Sequence, residues 1–459
     1  MKWAIFALGL MGTLFLGGWL RSNPRNLKQV CTLIGALPFL VTALPKHEIA
    51  ILGVPEWPGF ARGFDVSVFD LFAFAVLLSL PRRSHALPFK LPFFFYIATI
   101  LLSALQAPNQ TATYYYAWQL LRIFMAYIVI ARACADPVLR IAILNGMAFG
   151  LCFEGGVVIL QRFVFHYLHV VGTFDHQNML GLVIHFVIFP FFALVLSGQK
   201  GWKLAAIPFI GMLIDIITTS RGAIALALAG FSSLLILSML RKMTPRKGKI
   251  LASSVLILTL LSPLAYRQFE LRYQTTGVAG YGDGRTELNN AAAMMLSDFP
   301  MGIGANNIVV FGNTHGYYER ASVGAENAGI FPHNIYWATA AELGYIGLTA
   351  LAFLLLRPLQ LAFFIGWRTR NDQRGDLLLG LAVSLAMVYV QSYYEFLLLT
   401  DEVQYFFAIE LGIIASLALE LRRESASKHK TSVPTPPLLT PVQHQLVDRV
   451  TLPSYTKRY

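Results

Sequence analysis

Apolar runs long enough to cross a lipid bilayer, about 20 residues each, recur from one end of this sequence to the other. A segment inside a bilayer must satisfy its own backbone hydrogen bonds, which leaves helices or a closed barrel. Barrel strands read as short alternating segments, whereas these runs are continuous. The chain is therefore read as an all-α polytopic membrane protein. Spans are expected at roughly 4–20, 30–44, 65–81, 91–106, 115–133, 141–161, 179–197, 203–219, 222–240, 250–265, 335–356, 376–399 and 403–421. That makes about thirteen, or twelve if the first two form one broken or re-entrant element. The opening MKWAIFALGLMGTLFLGGWL has no convincing small-residue cleavage site and is read as a retained first helix.

Only 13% of the 459 residues are charged, and the formal net charge is +12. That sign fits a nucleic-acid binder, but position argues for topology. Lys and Arg cluster in short connections: Arg21/Arg25/Lys28, Arg82/Arg83/Lys90, Arg132/Arg140, Lys200/Lys203, RKMTPRKGK at 241–249, Arg368/Arg370/Arg374 and Arg422/Arg423. These fall on alternate sides of the expected spans, which places them in the cytoplasm by the positive-inside rule. The three cysteines, Cys31, Cys134 and Cys152, have no metal-ligand spacing and imply no disulfide framework.

The opposite side receives the loops at 45–64, 107–114, 162–178, 219–222 and 266–334. The last is long, rich in Gly, Asn and aromatics, and too structured in composition to be a tether. Within it RTELNNAAAMML, from Arg285, reads as an amphipathic helix lying on the membrane face, followed by the turn FPMGIG. The expected organisation is one membrane domain, 1–423, with this loop included, and a flexible cytoplasmic tail, 424–459, rich in Ser, Lys, Pro and Thr.

Chemistry is expected where polar side chains meet these outer loops. FPHNIYWATAAELGYIGL (331–348) sets His333 and Asn334 at the mouth of a span and Glu342 about two and a half turns further in, at ~3.6 residues per turn. A titratable imidazole above a buried carboxylate fits a site; His333 and Asn334 capping a helix end fit equally well. Arg221, in TTSRGA, lies between two apolar runs on the side where positive charge is scarce. It reads as an anion clamp, since a guanidinium is a permanent planar fork for phosphate oxygens, or as an interfacial snorkelling arginine. Arg285, in GYGDGRTE, is a second clamp, unless Asp283 simply pairs with it; Arg267, Arg272 and Arg320 are weaker candidates. Arg122 sits inside an apolar run, facing the same cavity or paired with Glu154 or Glu395. His176, Gln177 and Asn178, in VGTFDHQNMLG, offer groups suited to sugar hydroxyls, the alternative being a helix cap from Asp175 or Asn178. Asp401 and Glu402 are the only adjacent outer carboxylates, too little for a metal site, and no G-x-S-x-G elbow accompanies Ser220.

Taken in order, GTFDHQN, TTSRGA, GDGRTELNNAAAMMLSDFPMGIGANN and PHNIYWATAAELGYIGL resemble the hallmark segments of the O-antigen ligase and Wzy-type polymerase superfamily. The resemblance spans about 170–350. It implies a GT-C-like membrane glycosyltransferase that needs no metal or other cofactor. The implied donor is a sugar chain on a polyprenyl diphosphate, used with inversion at the periplasmic face. A glycan or a lipid core is the acceptor, and polysaccharide-assembly proteins are the implied partners. By that resemblance His333 is the essential loop-end histidine, acting as general base, and Arg221 and Arg285 bind the diphosphate. TELNN follows Arg285 where relatives often carry an aromatic such as Trp. ANN after the glycine-rich turn leans toward an exopolysaccharide or O-antigen polymerase over a ligase. A lipid-linked-sugar transporter is the reading without chemistry; it predicts charges along both halves of a midplane path, whereas the polar residues here gather on one side.

Overall fold

The computed structural model describes residues 2–40, 42–43, 48–81, 87–167, 169–199, 201–276 and 284–432. Arg82, Arg83, Lys200, Asp283 and most of the expected tail lie outside the described residues. The chain divides into two compact units, Met1–Ala418 and Leu419–Tyr459. The described part of the second is the end of a helix.

Every expected span contains a helix, although that at 65–81 begins in a strand and that at 376–399 is α-helical only to Gln391. In chain order the helices are α1 (Lys2–Ser22), α2 (Pro24–Leu40), α3 (Val68–Ser79), α4 (Lys90–Ser103), α5 (Gln110–Ala133) and α6 (Pro137–Ile159). Then follow α7 (Gln177–Leu196), α8 (Trp202–Thr218), α9 (Arg221–Arg241) and α10 (Pro245–Thr276). Three short helices, α11 (Arg285–Asp298), α12 (Ile308–Thr314) and α13 (Tyr317–Arg320), precede α14 (Ile335–Arg368), α15 (Gln373–Gln391) and α16 (Asp401–Ser432). Among the described residues seven helices are long and apolar enough to cross a membrane: α1, α6, α7, α9, α14, α15 and α16. α3 and α4 are apolar but shorter. α7 is the most enclosed, with 94% of its apolar window buried. It packs against α8, α9 and α15, which is why its sequence is apolar all round and lacks a polar stripe.

The loop at 45–64 contains structure that periodicity did not reveal. Strands β1 (Glu48–Gly53) and β2 (Gly63–Ser67) pair antiparallel, with an irregularity between Ala50 and Leu52. Phe60, at the tip of this hairpin, stacks on Phe331 with ring centroids 3.7 Å apart.

The long loop is shorter than expected, because α10 continues to Thr276. Its described part is a folded cap. α11 forms where expected, but its apolar face is not left for a membrane surface: Leu288 and Met295 pack with Ile308, Phe311, Tyr318 and Phe331 in a local core. The turn FPMGIG is laced into a break in α14. Gly344 has φ 67° and ψ −168°; Tyr345 N–H donates to Pro300 O (3.1 Å), and Ile303 and Gly304 N–H donate to Ala341 and Glu342 O (3.1 and 2.9 Å). A Cβ at Gly344 would collide with Pro300 O. Gly344→Ala is therefore expected to destabilise the protein by about 1–3 kcal/mol from backbone strain alone, read as a lower midpoint of thermal unfolding in detergent.

The asparagines of the ANN segment are architectural. Asn306 Nδ2 donates to Ala61 O (2.7 Å) and Ala112 O (2.9 Å), tying the cap to the hairpin and to α5. Asn307 Nδ2 donates to Ala305 O at 2.7 Å.

Candidate active site

Four helix ends converge on one cleft of about 530 Å³. α7 starts at Gln177 because His176 caps it: the Nδ1 of His176 accepts the Asn178 N–H at 3.1 Å. Neither Asp175 nor Asn178 is the cap, so Asn178 is left to face inward. Ser220 caps α9 and also donates its hydroxyl to Asn178 Oδ1 at 2.8 Å. Arg221 is thus the first residue of α9, exposed, and among the described residues it forms no ion pair. Gly284, with φ 67°, leads into α11 and so presents Arg285 at that helix's first position. α15 ends at Gln391, and the turn after it carries Glu395. His176, Asn178, Arg221, Arg285, Gln391 and Glu395 line the cleft, with Gln177 beside them.

Glu395 is the hub. Its Oε1 accepts from Arg285 Nη2 at 2.9 Å and from Asn178 Nδ2 at 2.5 Å. Its Oε2 lies 3.1 Å from His333 Nδ1. The Glu395 side chain is 6% exposed, against 32% for Arg285 and 22% for His333. Burial by itself pushes the Glu395 carboxyl up; the hydrogen bond from His333 and the charge of Arg285 outweigh it and hold the group below the ordinary glutamate range. An ionised carboxylate only accepts, so Nδ1 of His333 carries the proton. Nε2 is then the basic lone pair, and it has no hydrogen-bond partner among the described residues. Burial lowers the His176 pKa, which suits the acceptor role of its Nδ1.

Other expected site residues lie elsewhere. Asn334 caps α14, its Oδ1 accepting from Tyr336 and Trp337 N–H at 2.9 and 3.1 Å. Glu342 sits behind the cap, where its Oε1 accepts the N–H groups of Asn307 and Ile308 at 3.0 and 3.1 Å. Arg122 pairs with neither Glu154 nor Glu395. It donates to Asp70 and Tyr405, each at 3.0 Å, and lies 3.6 Å from Asp401. Glu154 holds the loop at Thr173. Arg320 stacks over Tyr317, 4.1 Å from the ring centre. None of these lines the cleft.

Residues 185–352 match the family model described as O-antigen ligase. Over this stretch, about a third of the chain, the protein is similar to the O-antigen ligase family. No curated protein matches it. That similarity implies glycosyl transfer from a lipid-linked glycan to an acceptor, and the apolar helices indicate a multi-pass membrane protein. The matched stretch carries Arg221, Arg285 and His333. The other wall of the cleft, from His176 to Asn178 and from Gln391 to Glu395, lies outside it.

Proposed function

We propose that this protein is a metal-independent, inverting, GT-C-type glycosyltransferase of the bacterial inner membrane. Its donor is a glycan on a polyprenyl diphosphate, used at the periplasmic face, and its product is a longer exopolysaccharide or O-antigen chain. One observation carries this reading: the Glu395 carboxylate joins His333 to Arg285 at the edge of a cleft that also holds Arg221.

The chemistry follows from those groups. The diphosphate oxygens bind Arg221, Arg285 and the first N–H groups of α9, where the helix dipole favours an anion. An acceptor hydroxyl gives its proton to Nε2 of His333 as its oxygen attacks the anomeric carbon. The bond from that carbon to the diphosphate oxygen breaks, and its electron pair leaves on the diphosphate. Two fixed guanidinium groups stabilise that growing charge, the work a divalent cation does elsewhere. Attack from the face opposite the leaving group inverts the centre. Glu395 orients the imidazole and keeps the proton on Nδ1.

The family description favours a second reading, transfer of the finished glycan to a lipid core. Purified protein incubated with a polyprenyl-diphosphate oligosaccharide separates the two. Longer lipid-linked chains are the expected result. Product formed only after a lipid-core acceptor is added means ligation, and no new glycosidic bond under either condition leaves the transporter reading.

A further inference from the structure

A second polar cleft, of about 350 Å³, lies at the far ends of the helices that build the first. α7, α9 and α15 each contribute one end to either cleft. The 20 residues of α7 span about 30 Å between them, at ~1.5 Å per residue. The second cleft is lined by five cations, Arg241, Lys242, Arg246, Lys247 and Arg370, and by two carboxylates, Asp372 and Asp376.

Local needs absorb only part of this charge. Arg241 is matched by Asp376 at 2.7 Å, and Asp372 by Arg374, which lies outside the lining. Lys247 is 4% exposed and donates to Ser238 O (2.7 Å) and Lys242 O (2.8 Å), so it closes the end of α9. Among the described residues Lys242 and Arg246 reach only neutral acceptors, Asn371 Oδ1 at 3.2 Å and Gln199 O at 3.0 Å. Arg370 has no side-chain partner among the described residues. The Arg241 side chain is 1% exposed, yet its Nε also lacks a partner among the described residues. Keeping lysines and arginines on one side of a bilayer does not require them to share a cleft. Beside the cations, Leu240 and Met243 are 70% and 59% exposed, an apolar flank against which an acyl chain can lie.

We propose that this cleft binds the phosphate of an anionic phospholipid headgroup, with Lys242, Arg246 and Arg370 as its ligands and the buried Arg241 beneath them. Its volume is in the range of small-molecule sites, about 300–1,000 Å³. Bound there, the lipid ties together the ends of α7, α9 and α15 opposite the candidate active site. The assignment does not depend on the glycosyltransferase reading.

The test is native mass spectrometry of the delipidated full-length protein, offered phosphatidylglycerol and phosphatidylcholine with the same acyl chains. Each cation near an anionic headgroup contributes about fivefold in affinity. The wild-type protein is expected to retain phosphatidylglycerol at least about tenfold better, and the Lys242→Gln/Arg246→Gln/Arg370→Gln protein equally with phosphatidylcholine. Because neutralising these residues can disturb insertion, the Lys242→Arg/Arg246→Lys/Arg370→Lys protein serves as a second variant and is expected to keep the preference. No preference in the wild type, or a preference that survives the triple glutamine change, overturns the site. Displacement of the lipid by an equal concentration of soluble glycerol phosphate overturns the lipid as its source.

Discussion

His333→Ala is expected to stop glycan transfer while the protein still inserts and accumulates normally. A positioned general base contributes about 10²–10⁴-fold to such a step, enough to remove visible product from a gel of chain lengths. The fold has little stake in this side chain. It touches Glu395 and the Phe396 ring, and the cap of α14 comes from Asn334. His333→Gln separates two roles, because an amide can still donate to Glu395 but takes no proton at neutral pH. Near-normal transfer by that variant would sink the base assignment and leave His333 as a spacer. The link between Glu395 and its partners is also expected to survive mild acid. A depressed carboxyl contributes stability that is present above its ordinary value of 4.5 and is lost only as pH falls through its lower folded value.

The helices were legible because a bilayer imposes a single length and polarity on each span, and that pattern survives in one sequence. Their ends were not. The run expected at 376–399 hides Glu395 inside a membrane helix, whereas α15 stops at Gln391 and the chain turns through 392–400. Leu397, Leu398 and Leu399 supply the apolar signal, but they form a short 3₁₀ turn packed inside the protein. Hydropathy reports that a residue avoids water and not whether it does so in a span. From the sequence, therefore, the hub of the cleft is only a possible partner of Arg122. A carboxylate four residues past the last helical position, in YYEF between apolar runs, was the signal available. Glu342 failed in the opposite way. It is buried within α14, but the backbone N–H groups that use its carboxylate belong to a loop whose path no local pattern encodes. The glycines of FPMGIG mark a turn in the sequence, but its packing against Gly344 is set only by the fold.

Arg221 and Arg285 are expected to differ when each is changed to alanine, although both face the same cleft. Arg221 is exposed and has no ion pair among the described residues, so its removal leaves the fold and the thermal midpoint nearly unchanged. Its loss is expected in the rate. Removing one preorganised charge from a leaving-group site costs about 10²–10³-fold, and lysine restores only part of it because an ammonium cannot grip two phosphate oxygens in one plane. In the proposed reaction Arg285 binds the donor; in the structure it pairs with Glu395, 2.9 Å away and 6% exposed. Among the described residues Arg285→Ala leaves that carboxylate with Asn178 and His333 alone, so a fall in stability accompanies the fall in rate. The second change Glu395→Gln removes the orphaned charge. In the double variant the thermal midpoint is expected to recover while transfer stays low, because His333 has then lost its carboxylate as well. Recovery of both would mean that Arg285 acts only by balancing Glu395, and the donor diphosphate would be left to Arg221.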